Sequence, residues 1–399
     1  MSNYTTISLT AGIWFMAKFL RYSFPPLFEP LQLSYDISTS EIGFLYTVLL
    51  AVYAVLQFPS GLLADRVGSV YVIVGGAILT AIGAVLISVE GSITIFIVAI
   101  IAIGVGTGLH KTVAVGVLSA TYPNRTGRML GIFDTVGSYG GVGASVVVTA
   151  FLLAPPPVNK FISPLPGEDW RGLFLVSGIV GASLAILYFK YTCPISKEKN
   201  RTENQTTPSI NNYLYQFSKP RFAGFVLITI LFGFTYNGII AFIPLFLTET
   251  IGLNTTAANS MYSLIFIVSF AQIFTGEISD RVGRLRVITG TLITAGVGLL
   301  FLTVIASDNL IFIGGMVILF AVGSNGFRPV RGIYLIELLP DSLSSGGLGT
   351  VRTLLMAAGA VAPMITGYIV EVASFQIAFL LLAGSLLIAA VMSIGLLIK

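Results

Sequence analysis

The sequence predicts an all-α membrane protein: twelve transmembrane helices in two pseudo-symmetric six-helix bundles. Three observations carry that expectation. Hydrophobic residues make up 55% of the 399 residues and charged ones only 10%, against about 25% charged in ordinary soluble domains. Twelve apolar runs approach the roughly 20 residues that a helix needs to cross a bilayer. A stretch between two such runs, Gln57 to Gly68 (QFPSGLLADRVG), returns 215 residues later at Gln272 to Gly283 as QIFTGEISDRVG. An offset of a little over half the chain divides it into two related halves.

In chain order the runs fall near 7–28, 41–60, 70–89, 92–118, 129–152, 171–189, 221–247, 257–275, 287–306, 309–335, 347–369 and 376–397. The N-terminal MSNYTTIS holds no basic residue, so the first run reads as a retained helix and not as a cleaved leader. The first bundle occupies 1–189 and the second 221–399, joined by a polar cytoplasmic linker at 190–220 that is rich in Asn and Thr. A proline-rich loop at 154–169 lies on the external side. The stretches GVGTG (104–108), GSYGGVGAS (137–145) and AAGAVAP (357–363) read as packing seams, because small residues let helix backbones approach in a bilayer. No strand precedes them, which sets aside a cofactor-binding glycine loop.

Composition also excludes function classes. A net charge of +4, dispersed among apolar segments, gives no nucleic-acid signature. One cysteine, Cys193, and one histidine, His110, leave no disulfide framework and no metal cluster. No G-x-x-x-x-G-K-[ST] loop and no Ser/His or His/Asp/Cys cluster is present, so neither ATP, another cofactor nor enzymatic chemistry is expected.

Both copies of the repeat contain G-x-x-x-D-R-x-G: Gly61, Asp65, Arg66 and Gly68 in the first, Gly276, Asp280, Arg281 and Gly283 in the second. This pattern, between the second and third helices of each half, resembles the signature loop of the major facilitator superfamily. The resemblance covers essentially the whole chain. It implies inverted 3+3 repeats within each half, a midplane site, and alternating access by rocking one half against the other. It also implies that the loop is a conformational latch, with the Asp near a helix N-terminus and the Arg helping to fasten the halves. A carboxylate in that position is worth roughly 0.3–1 kcal/mol. The second copy continues with Arg284 and Arg286, the first with Ser69 and Val70, so the first latch is expected to be the weaker.

With both termini placed inside, thirteen lysines and arginines fall on cytoplasmic segments, and only Lys160 and Arg171 on external ones. That asymmetry sets the orientation and points to a multi-pass protein of the cell membrane, expected to act as a monomer in the lipid bilayer.

Six cations remain within helices: Lys18, Arg21, Lys111, Arg328, Arg331 and Arg352, against one deep acid, Asp134. Each such charge costs about 2.5–3.5 kcal/mol at a helix centre. The missing counter-charge is read as the cargo, a small anionic solute. Arg21 and Arg328 are the leading contacts, one from each half, since guanidinium pairs with carboxylate or phosphate in bidentate fashion. Lys18 shares a face with Arg21 at i, i+3. Repeat offsets set Lys111 against Arg328, Gly106 against Gly323, and, through Pro26 and Pro244, Lys18 against Tyr236 with Asn237 beside it. Asn325 completes the candidate set.

Several of these residues carry a structural reading as well. Lys111 and Asp134 can form an ion pair, and Arg331 and Arg352 can snorkel or pair with Glu337. His110 serves either as a structural hydrogen-bond partner or as an anion donor. Gln57 and Gln272 read as structural. Asp134 is the proton-coupling candidate, with sodium or a counter-anion as the other coupling partners. Drug efflux by proton antiport and a non-transporting sensor of the same fold are the rival readings. Efflux usually favours an acidic, aromatic cavity, which the charge balance here opposes.

Overall fold

A computed structural model describes residues 4–89, 91–153, 169–196, 217–305, 307–339 and 356–398. Lys160 and most of its loop, most of the linker, Arg352 and Lys399 lie outside the described residues. The first half contains α1 (Tyr4–Ser23), α2 (Phe28–Tyr35), α3 (Thr39–Val67), α4 (Ser69–Ser88), α5 (Ile93–Thr121), α6 (Thr126–Leu153) and α7 (Asp169–Ser196). The second contains α8 (Pro220–Glu249), α9 (Thr255–Ile267), α10 (Ala271–Val282), α11 (Arg284–Val304), α12 (Leu310–Glu337), α13 (Ala362–Val372) and α14 (Phe375–Ile398). No strand occurs among the described residues.

Among the described residues, ten spans are long and apolar enough to cross a membrane, with Met356–Val372 as a shorter apolar helix. Adding α1, whose hydropathy Lys18 and Arg21 lower, gives the twelve segments of the expected architecture. Large apolar side chains stand exposed along them, among them Ile273, Ile311 and Val391. Such surface suits lipid and would be a liability in water.

Two runs are interrupted. The first stops at Ser23, passes through a 3₁₀ turn at Pro25–Leu27 and resumes as α2. Pro25 and Pro26 together remove two backbone donors, whereas Pro244 sits within an unbroken α8. The eighth run divides at a 3₁₀ turn, Val268–Phe270, into α9 and α10. The sixth run continues to Ser196, so helix extends into what reads in sequence as linker. Capping follows local sequence. Ser38 and Glu41 exchange backbone-to-side-chain bonds at 2.8 and 3.2 Å ahead of α3, a reciprocal capping box. Asn254 and Asn309 cap α9 and α12.

The chain divides into two compact units, Met1–Ile37 with Leu45–Glu203, and Ser38–Phe44 with Asn204–Lys399. Within the first, α4 packs on α5 and α7, and α1 on α6. Within the second, α11 packs on α12 and α14, the equivalent pairs. One crossing is duplicated in detail. A Cβ on Gly106 would run into Gly76 and Thr80, and a Cβ on Gly323 into Thr291 and Ala295. Those partners are themselves 215 residues apart, so the same backbone-to-backbone approach recurs in both halves.

Candidate functional site: a cationic cluster on α1

Trp14, Lys18 and Arg21 recur at i, i+4 and i+7, which puts them on one face of α1. Two glycines of α6 let that face come close. The Trp14 ring occupies the space that a Gly137 side chain would need, and a Cβ on Gly140 would lie 2.6 Å from the Phe15 carbonyl oxygen. The glycine seam therefore holds, and it sets the depth at which α1 delivers its cations. Trp14 stacks on His110 of α5 and on Phe133 of α6, with ring centres 6.1 and 5.7 Å away, and those two rings lie 6.1 Å from each other.

Three cations gather around this ring. Lys111 Nζ lies 4.9 Å from its centroid, Lys18 Nζ 5.4 Å and the Arg21 guanidinium carbon 6.0 Å. Each contact to the π-face is worth about 0.5–2 kcal/mol, more where water is excluded. Lys111 is also ion-paired with Asp134, so the expected pair forms. Its carboxylate is half exposed whereas Lys111 is buried. Lys18 donates to Ser138 Oγ at 3.4 Å, and Ser138 donates to the Asp134 carbonyl at 2.9 Å. The cluster thus holds three cations and one carboxylate.

Arg21 differs from the other two. It is only 6% exposed, and the Tyr53 ring of α3 stacks on its guanidinium at 3.7 Å. Its Nε and Nη2 are both buried with no hydrogen-bond acceptor among the described residues. These two atoms share one edge of the guanidinium, the edge that pairs side-on with a carboxylate. A guanidinium edge of this kind is one that a carboxylate or phosphate can pair with side-on.

His110 is packed into the bundle. Its Nε2 lies 3.2 Å from the Thr10 carbonyl oxygen and the residue is 1% exposed. Gln57 is structural as expected, donating to the Tyr53 and Gly108 carbonyls and accepting from Thr112.

In the second unit Arg328 lies 5.0 Å from the Tyr236 ring, its Nη1 3.5 Å from both the Tyr236 hydroxyl and the Asn325 side-chain oxygen. Asn325 donates to the Ile265 and Ala321 carbonyls at 2.9 and 3.0 Å, tying α12 to α9. It positions Arg328 while its amide protons are spent on backbone. Asn237 lies against Gly359, and Arg331 is half-buried two residues beyond the helical Pro329. Glu337, a proposed partner of Arg331, is taken by Arg284 at 2.6 Å.

The two turns also differ. Gly68 and Gly283 both adopt left-handed backbone, φ 98° and 102°, where a side chain would be strained. Arg284 bridges Asp280 (3.6 Å) and Glu337, and Arg281 pairs with Glu277 at 2.6 Å. Asp65 and Arg66 are exposed, with no ion pair among the described residues. Gly61 and Gly276 have open space or ordinary contact around them.

Sequence reasoning missed Trp14, Tyr53 and Phe133, although the i, i+4, i+7 spacing of Trp14 with Lys18 and Arg21 was available. It also counted Arg171 as an external loop charge. Arg171 is buried, donating to the Ile87 and Val89 carbonyls at the end of α4 and to the Tyr35 hydroxyl, each at 3.3 Å.

Comparison with known proteins agrees with the fold. The family model described as Major Facilitator Superfamily matches residues 10–271 and 258–399. A probable 4-methylmuconolactone transporter of Cupriavidus pinatubonensis is 24% identical over 348 residues, covering 84% of this chain and 76% of that protein. The hexuronate transporter of Bacillus subtilis is 24% identical over 369 residues, covering 87% and 83%. Among solved structures, an inward-facing, unoccupied bacterial homolog of the human lysosomal transporter Spinster superposes with a TM-score of 0.79 at 16% identity. That match covers 99% of this chain and 96% of the other.

Proposed function

The chain belongs to the major facilitator superfamily and is a multi-pass membrane transporter, not an enzyme, and from that premise we propose that it carries a small organic anion bearing a carboxylate. Arg21 carries the proposal: a buried guanidinium, stacked on Tyr53, whose side-on edge has no acceptor among the described residues. A carboxylate there gains two charge-assisted hydrogen bonds to buried nitrogens. Lys18 and Lys111 supply the field that draws the anion in, while Asp134 serves as the internal counter-ion of Lys111. The likeness to a hexuronate carrier supports the same class. Protonation of Asp134 would free Lys111 for cargo, which is how a proton would couple to transport. The excess of Lys and Arg on one set of loops supports cytoplasmic termini in the cell membrane.

The test is a thermal-stability screen of the purified protein against carboxylates, phosphates, inorganic anions and lipophilic cations. A ligand at 100 times its dissociation constant stabilises by about 2.7 kcal/mol. Carboxylates should stabilise the native protein and fail with Arg21→Gln, and Arg328→Gln reports whether the second half shares the same solute. Stabilisation by lipophilic cations alone would favour efflux and end the carboxylate reading.

A further inference from the structure

A second feature of the first unit lies apart from the Trp14 cluster and shares no residue with it. A cavity of about 800 Å³ opens at the end of the bundle where α1 begins, α5 ends and α6 begins. One wall is a stripe of α1 at i, i+4, i+7 and i+11: Tyr4, Ser8, Ala11 and Phe15. The facing wall is Met129, Ile132 and Val136 of α6. The mouth is polar, formed by the turn Tyr122–Arg125 and by Arg128. Arg125 and Arg128 are exposed, and neither is ion-paired among the described residues. No acidic residue lines the cavity among the described residues.

The polarity gradient is that of a lipid. From Tyr4 to Phe15 the α1 wall runs about 16 Å along the helix axis at 1.5 Å per residue. It starts at the charged end and descends into what would be hydrocarbon. A free phosphate would use only the mouth and leave that apolar trench unfilled. We propose that this cavity is a binding site for one anionic phospholipid, its phosphate held by Arg125 and Arg128 and an acyl chain laid between α1 and α6. Basic pockets between helices at a membrane face recognise anionic headgroups by this chemistry.

Native mass spectrometry of the full chain, delipidated and then supplied with phosphatidylglycerol, phosphatidylcholine or glycerol 3-phosphate, tests it. A single phosphatidylglycerol should remain bound while phosphatidylcholine does not. The double variant Arg125→Gln/Arg128→Gln should weaken retention at least about tenfold. Ser8→Trp, at an exposed position, fills the trench with the charges intact and should also expel the lipid. Equal retention of both lipids would overturn the proposal. So would displacement of phosphatidylglycerol by equimolar glycerol 3-phosphate, or undiminished retention in Ser8→Trp. Melting curves of each variant establish that it is folded.

Discussion

In the first unit α5 brings Lys111 to Trp14 and Asp134; in the second, α12 brings Arg328, with Asn325 three residues before it on the same helix, to Tyr236. The helices are equivalent, and both cross their neighbour at a glycine, Gly106 or Gly323, in the same way. What surrounds the cation differs. Among the described residues, the first unit adds Lys18 and Arg21 and one carboxylate, and the second sets a hydroxyl and an amide against its guanidinium. The two units share the packing, where a single methyl group would collide with backbone. They differ in their charges, because a long side chain on the same scaffold can be exchanged without moving a helix. The signature turns repeat the lesson: the positive-φ glycine is kept in both, while the Arg284 bridge exists in one.

That asymmetry can be broken or sharpened by substitution. The largest effect is expected at Arg21: Arg21→Gln should remove the carboxylate-induced stabilisation, about 2.7 kcal/mol at 100-fold saturation, with Arg328→Gln removing less. Calorimetric titration of each variant checks the ranking, and equal losses would erase the distinction between the halves. Asp134→Asn leaves Lys111 without its ion partner and should lower apo stability by about 2 kcal/mol, below the range for fully buried pairs because this carboxylate is half exposed. Its anion-induced shift should stay at least as large as that of the native protein. Denaturation with and without ligand reads both quantities, and a lost anion response would make Asp134 part of the binding site.

Gly140→Ala places a methyl group 2.6 Å from the Phe15 carbonyl oxygen and should cost about 1–3 kcal/mol by pushing α1 away. Gly290→Ala, with open space around it, serves as the control and should be neutral or slightly stabilising. The smallest effects belong to the turns. Arg284→Ala should cost under about 1 kcal/mol, and less in high salt, since its partners are largely exposed. Ser69→Arg would restore an i, i+4 pair with Asp65 but no counterpart of Glu337, and should gain still less. Melting temperatures across a salt series order these two.

Much of this architecture was legible in the sequence because its causes are local. The apolar runs, the repeated turn and the glycine seams each write their physics into a few adjacent residues. The Lys111–Asp134 pair was legible too, since two charges at matched depth on adjacent antiparallel helices leave few other partners. The interruption at Pro25 and Pro26 was missed because an apolar run reads the same whether or not its backbone is continuous. Arg171 was misread because a charge at a segment end looks solvated, and only the fold shows the carbonyls of α4 closing over it.

The sequence by itself determined the membrane class and that Lys18, Arg21 and Lys111 lie in the interior. Each follows from the cost of placing polar groups in hydrocarbon, which is a property of the residues themselves. Tertiary structure decided which of those cations keeps an edge without an acceptor. That depends on helix approach: Gly137 and Gly140 set how near α1 comes to α6, and Tyr53 arrives from α3 to hold the Arg21 plane. Hydrogen bonds are satisfied or left open over fractions of an ångström, and no spacing along one helix fixes the distance to another.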